Sequence, residues 1–284
     1  LNSIVSLKWL LARLYESDIV IVDCRFQLGK PESGREAYEA SHIPGAVYLD
    51  LEKDLSAPIE EHGGRHPLPD IAQLTGTLSR VGISNETRVV AYDDQGGAMA
   101  SRLWWLLKYL GHEEVYVLDE GFTAWQQASF PVNADQKVLI PAKFLATVQH
   151  NMLVEMDEVR ENIGTGRVTL IDSRDGARYR GEVEPLDKAA GHIPGAINHL
   201  WSEGRGDDGK WKNADEQAAR FEGLDKDRET IVYCGSGVTA TPNVRALQEA
   251  GFSNVRLYAG SWSDWISYEG NPIAVGAEEA PEGK

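Results

Sequence analysis

The chain has 284 residues, 42% of them hydrophobic and 25% charged, the make-up of a globular protein long enough for two ordinary domains. Its formal net charge is −16 and its pI about 4.9, so it has no electrostatic footprint for nucleic acid or for an anionic membrane surface. An anionic ligand would need a locally positive site. Two cysteines, Cys24 and Cys234, lie far apart in unlike contexts with no C-x-x-C or Cys/His cluster, which argues against a disulfide framework or a bound metal and for a cytoplasmic, reducing location.

In chain order, Ser6 to Leu14 places apolar residues at helical spacing broken by Lys8 and Arg13, the pattern of an amphipathic surface helix rather than a signal or a membrane span. Because the first residue is Leu, the native N-terminus is expected to have been trimmed. The run Ile19-Val20-Ile21-Val22-Asp23 predicts a buried strand, followed by His-Ile-Pro-Gly-Ala at His42 to Ala46. Val89 to Asp93 and Val115 to Leu118 are further strands, separated by a helical pattern from Ala98 to Leu110. Then the pattern repeats. Val168 to Asp172 matches the first strand, a second His-Ile-Pro-Gly-Ala stands at His192 to Ala196, 150 residues after the first, and Ile231 to Cys234 matches Val89 to Asp93. Gly121 to Trp125 has its counterpart in Ser261 to Trp265.

The chain is therefore a duplicated domain of α/β class, each copy a parallel sheet with helices on both faces. The expected domains are 1–135 and 150–284, joined through the polar stretch from Asn133 to Gln149. Functional loops in such sheets lie at the carboxyl ends of strands, which is where Cys234 falls. Its sequence, Cys234-Gly235-Ser236-Gly237-Val238-Thr239, runs from a buried strand through a glycine loop into a helix, with Thr239 and Thr241 as candidate caps and Pro242 suited to the first turn. Consecutive loop N–H groups and the positive end of that helix favour a thiolate, the nucleophilic form of cysteine. The alternative, a buried structural cysteine, is the reading for Cys24, which aligns with Ser173.

The two halves, the repeated pentapeptide, the loop CGSGVT, GRHPLP at Gly64 to Pro69 and GSWSDW at Gly260 to Trp265 together resemble the tandem-domain rhodanese family of sulfurtransferases over nearly the whole chain. The resemblance implies sulfur transfer through a persulfide on Cys234, held by the loop residues Gly235 to Thr239, with no metal and no organic cofactor. It implies a non-catalytic N-terminal domain, since Asp93 stands where Cys234 stands. The implied partners are a small anionic sulfur donor and a thiol or cyanide acceptor, a thioredoxin-like protein among them. Loops of this form are similar to those of 3-mercaptopyruvate sulfurtransferases, whereas thiosulfate enzymes tend to carry basic residues after the cysteine, and Gly235 and Ser236 supply no charge.

In the mercaptopyruvate enzymes two arginines of the C-terminal domain grip the donor. Arg178 matches the first. The second would follow Glu184-Pro185, where this chain has Leu186, so Arg180 or Lys188 would have to take the role. A histidine of the N-terminal domain assisting Ser236 is also proposed for the family, which makes His42 a candidate, although no matching Asp precedes it. His192, repeated in the same motif, is read as structural. Asp172 with Arg174, and Asp23 with Arg25, read as charge pairs that order strand ends, and the tryptophans as core residues. Gly204 to Gly209 reads as a surface turn, not a calcium loop. Two other classes fit the loop less well. A cysteine phosphatase would need an arginine at a loop end where this chain has Ala240, and a non-catalytic binding module would show a degenerate loop, whereas this one is intact.

Overall fold

The computed structural model describes residues 3–277. Two compact units emerge, and they do not follow a single cut in the sequence. The first runs to His150 but leaves out Pro58–Pro67 and takes in Gly206–Trp211; the second takes Pro58–Pro67 together with the rest of the chain from Asn151. The polar stretch after Asn133, expected as a join, packs with the first unit. Phe144 is buried there, and Ala142 and Thr147 donate backbone hydrogen bonds to the carbonyls of Ser79 and Leu110.

Each unit is built on a five-stranded, all-parallel sheet. In the first, β1 (Ile4–Val5), β2 (Ile19–Asp23), β3 (Val47–Tyr48), β4 (Arg88–Tyr92) and β5 (Val115–Leu118) lie in the order β1-β5-β4-β2-β3. In the second, β6 (Leu153–Val154), β7 (Val168–Asp172), β8 (Ala196–Asn198), β9 (Glu229–Tyr233) and β10 (Val255–Tyr258) repeat the same order, β6-β10-β9-β7-β8. β2 is buried at every position and β-branched at all but its last, Asp23, as suits a central parallel strand covered on both faces. The helix Ala98–Tyr109 is buried along nearly its whole length. Trp104, Trp105, Trp125, Trp262 and Trp265 are all buried, in agreement with a core role.

The duplicated pentapeptide is a structural device. His42 stacks on Tyr38 at 4.1 Å and lies 2.6 Å from its carbonyl, while His192 stacks on Tyr179 at 3.9 Å and lies 2.7 Å from its carbonyl. The tyrosine hydroxyls donate across the turn to the carbonyls of Ala46 and Ala196, and the following Ile N–H groups donate to Tyr92 and Tyr233. Gly45 and Gly195 adopt φ of 78° and 82°, which explains their place in the motif. The acid and arginine after each first strand pair as expected: Arg25 and Arg174 each sit 2.6 Å from Asp23 and Asp172, and each also donates to a carbonyl, of Ser41 or Gly191.

Candidate active site

Cys234 follows β9 directly, between the strand and the helix Thr241–Glu249, and is buried. The segment Gly260–Trp265 props it. Cys234 N–H donates to Ser261 Oγ (3.1 Å), its carbonyl accepts from Trp262 N–H (3.0 Å), and the Gly235 carbonyl accepts from Ser263 N–H (2.9 Å). Ser261 is held at φ 58°, a left-handed conformation that costs a non-glycine residue about 1–3 kcal/mol and is tolerated because its hydroxyl is committed on both sides. GSWSDW thus holds the cysteine loop in place.

Within the loop, Gly237 N–H donates to Cys234 Sγ at 3.2 Å. Gly237 has φ 76°, and a Cβ there would lie 2.1 Å from the Ala259 carbonyl oxygen, so only glycine can present this N–H to the sulfur. Neither Thr239 nor Thr241 caps the helix. Thr241 Oγ1 instead donates to the Val238 carbonyl, closing the loop on itself, and Ala240 occupies the cap position. Val238 is buried beneath the loop and Thr239 is half-buried.

The corresponding loop of the first unit holds an anion of its own. The Asp93 carboxylate, buried, accepts from the N–H groups of Gln95, Gly97 and Ala100 at 2.8–2.9 Å. Burial pushes its carboxyl above the usual range, against the opposing pull of those amides. A strand-end loop of this fold thus collects backbone donors around one negative side chain. Cys24, by contrast, is buried beside Asp23 and Asp93; desolvation first, and those carboxylates second, push its thiol well up and disfavour a thiolate.

Ser236 meets an unexpected partner. His66 Nδ1 lies 2.7 Å from Ser236 Oγ, and both residues are buried. The histidine that meets Ser236 is His66, in GRHPLP, and not His42, whose ring nitrogens face the carbonyls of Tyr38 and Asp135 in the first unit. The segment carrying His66 is fixed on both sides. Gly63 N–H donates to Asp264 Oδ1 (2.7 Å), Arg65 N–H donates to Ser263 Oγ (3.1 Å), and His62 stacks on Tyr268 at 3.9 Å.

Arg178 reaches the loop: its Nη2 lies 3.5 Å from where a Cβ of Gly235 would be. It is held by Glu184 at 2.8 Å and Asp187 at 3.1 Å. Burial would raise the Glu184 carboxyl, but the Arg178 guanidinium and the amides of Leu186 and Asp187 outweigh it and hold Glu184 below its ordinary value. The other two cation candidates turn elsewhere. Arg180 is exposed and pairs with Glu182 (2.7 Å), and Lys188 is exposed. The cation that does join Arg178 is Arg65, whose Nη2 would stand 2.8 Å from a Gly235 Cβ. The uncharged loop therefore does not mean an uncharged site, and the absence of charge at Gly235 and Ser236 loses its weight as an argument about donors. Among the described residues no group of three or more His, Cys, Asp or Glu is arranged to hold a metal ion, and no helix is long and apolar enough to cross a membrane.

A parallel sheet in duplicate, with a cysteine loop at the end of the central strand of one copy, defines a rhodanese-type architecture. The model of the rhodanese-like domain matches the chain twice, over residues 6–128 and 155–268, and the chain belongs to the rhodanese family. A Pseudomonas aeruginosa protein named probable 3-mercaptopyruvate sulfurtransferase is 44% identical over 272 residues, covering 94% of this chain and 96% of its own length. The thiosulfate sulfurtransferase of Rattus norvegicus is 33% identical, with 93% of this chain and 92% of the relative covered. Among solved structures, the 3-mercaptopyruvate sulfotransferase SseA of Escherichia coli superposes with a TM-score of 0.81 at 31% identity, over 93% of this chain and all (100%) of that one.

Proposed function

We propose that the chain is a sulfurtransferase that carries sulfur as a persulfide on Cys234, taking it from 3-mercaptopyruvate and passing it to a thiol or cyanide. The observation that carries this reading is the Gly237 N–H donated to Cys234 Sγ, in a loop that also brings His66 to Ser236. The Cys234 thiolate attacks the donor sulfur and the carbon–sulfur bond breaks, its electron pair going to the carbon to give the enolate of pyruvate, which then takes up a proton. Ser236, backed by His66, is the group beside the sulfur that can hold and return that proton. The acceptor then attacks the outer sulfur, releasing Cys234 as thiolate. Cyanide leaves as thiocyanate, and a thiol, such as that of a thioredoxin-like protein, leaves as a persulfide.

Arg178 orients the donor carboxylate, and the backbone of Gly235 to Thr239 holds the negative charge of the persulfide. The first unit, with Asp93 filling its own loop, takes no part in the chemistry. Thiosulfate is the alternative donor, because guanidinium groups over Gly235 suit a dianion as well as a carboxylate; the greater identity to the mercaptopyruvate-named relative favours the first. A cytoplasmic location is in keeping with two free cysteines. The test is a side-by-side measurement of kcat/KM with 3-mercaptopyruvate and with thiosulfate. A higher value for mercaptopyruvate is expected; a higher value for thiosulfate would reverse the donor assignment, and no turnover of either would end the reading.

A further inference from the structure

The position after Glu184-Pro185 is Leu186, which is 47% exposed and carries no charge. The second guanidinium over the loop comes instead from Arg65, far back in the sequence. Its backbone is tied to Ser263, its neighbours Gly63 and His66 are tied to Asp264 and Ser236, and Gly64 packs so closely that a Cβ would lie 2.5 Å from the Gly260 carbonyl oxygen. The side chain of Arg65 is thereby aimed at Gly235, the residue next to the nucleophile, and pairs with Asp187.

Asp187 is the informative residue. Its carboxylate bridges the two arginines, 2.9 Å from Arg65 Nε and 3.1 Å from Arg178 Nη2, and is only 3% exposed. Its neighbour Glu184 is locked by the amides of Leu186 and Asp187 as well as by Arg174 and Arg178. The hydrogen bonds of the Asp187 carboxylate, among the described residues, go to the Arg65 and Arg178 guanidinium groups. A carboxylate laid across two guanidinium groups that reach Gly235, next to the cysteine, has the geometry that the carboxylate of a donor would take.

We infer that Arg65 and Arg178 form the donor's carboxylate cradle, and that Asp187 occupies that cradle until the donor displaces it. The inference rests on the proposed sulfurtransferase reading. Binding is an exchange of one carboxylate for another, so it leaves the charge of the cradle unchanged, and Asp187 sets the donor concentration at which the site fills.

The experiment measures KM for 3-mercaptopyruvate in the full chain, and separately the Kd for pyruvate in the Cys234→Ser protein by calorimetry. Arg65→Ala should raise both roughly ten-fold or more, with Arg65→Lys recovering part of the loss. Asp187→Asn should lower both about five-fold even as loss of the buried ion pairs lowers the melting temperature. An active Arg65→Ala enzyme with unaltered KM would overturn the cradle, and weaker binding by Asp187→Asn would make Asp187 a scaffold for the arginines rather than a competitor. If the unmodified chain turns over neither donor, the sulfurtransferase reading falls by itself, while the pyruvate titrations still decide whether Arg65 and Asp187 act on a carboxylate.

Discussion

His66 and Ser236, separated by 170 residues in sequence, meet at 2.7 Å beside the candidate nucleophile. The pairing separates the two donors chemically. The thiol of mercaptopyruvate has a proton to give up and its leaving carbon needs one, whereas thiosulfate has no proton on its outer sulfur and departs as sulfite. His66→Gln should therefore lower kcat for mercaptopyruvate by about a hundred-fold, a usual contribution of general acid–base catalysis, and lower thiosulfate turnover far less. Equal losses on both donors would reduce His66 to a packing residue.

Cys234→Ser should abolish transfer and Cys24→Ser should leave most of it. Only Cys234 has a loop N–H on its sulfur, and burial beside carboxylates keeps Cys24 a neutral thiol. Incubation with donor alone should add a single sulfur to the peptide containing Cys234, read by mass spectrometry. Added sulfur on Cys24 would contradict the assignment.

Much of this was legible in the sequence, because duplication displays itself. The repeated pentapeptide, the matched strands and Asp93 opposite Cys234 point to the α/β class, the copy number and the candidate nucleophile's place at a strand end. His66 and Arg65 were not legible for the same reason: GRHPLP occurs once, has no periodicity, and its Arg65 and His66 side chains make their contacts with residues 122 and 170 positions away. His42 was the candidate because the family resemblance implies a histidine of the N-terminal domain on Ser236, yet repetition in both units is what a structural role produces, and its ring is spent on Tyr38 and Asp135. Thr239 and Thr241 fit a helix cap by composition, but the loop consumes the Thr241 hydroxyl before the helix can use it.

Stability should fall on mild acidification through His199. Burial first, and the neighbouring Arg220 cation second, lower it from its ordinary 6.5 to about 4. The folded protein keeps this imidazole neutral while the unfolded chain takes up a proton below pH 6.5, so its contribution is present above 6.5 and lost as pH falls towards 4. The full loss, reached towards pH 4, is on the order of 3 kcal/mol, of which about 2 kcal/mol falls by pH 5. Urea unfolding at pH 7 and pH 5 should show the drop, and His199→Gln should shrink it. Glu184, held below its ordinary value of 4.5, adds its loss only under more acidic conditions, so the two are separable by pH.

The two loop glycines should fail in different ways when each is changed to alanine. At Gly237 the new methyl would lie 2.1 Å from the Ala259 carbonyl oxygen, and the φ of 76° is itself unfavourable to alanine. Backbone must move, so the N–H leaves the sulfur, and Gly237→Ala should lose persulfide formation along with about 2 kcal/mol or more of stability. At Gly235 the new methyl meets only the ends of flexible side chains, Arg65 Nη2 at 2.8 Å and Arg178 Nη2 at 3.5 Å. Those ends can give way, so Gly235→Ala should keep its melting temperature and its ability to form persulfide at saturating donor. It should raise KM for mercaptopyruvate roughly ten-fold, because the guanidinium groups are pushed off their bidentate positions. Thermal melts and donor titrations of both variants check this. A Gly235→Ala protein with normal KM would mean that the donor does not lie between Gly235 and the two arginines, and a Gly237→Ala protein that still forms persulfide would mean that the Gly237 N–H is dispensable to the sulfur.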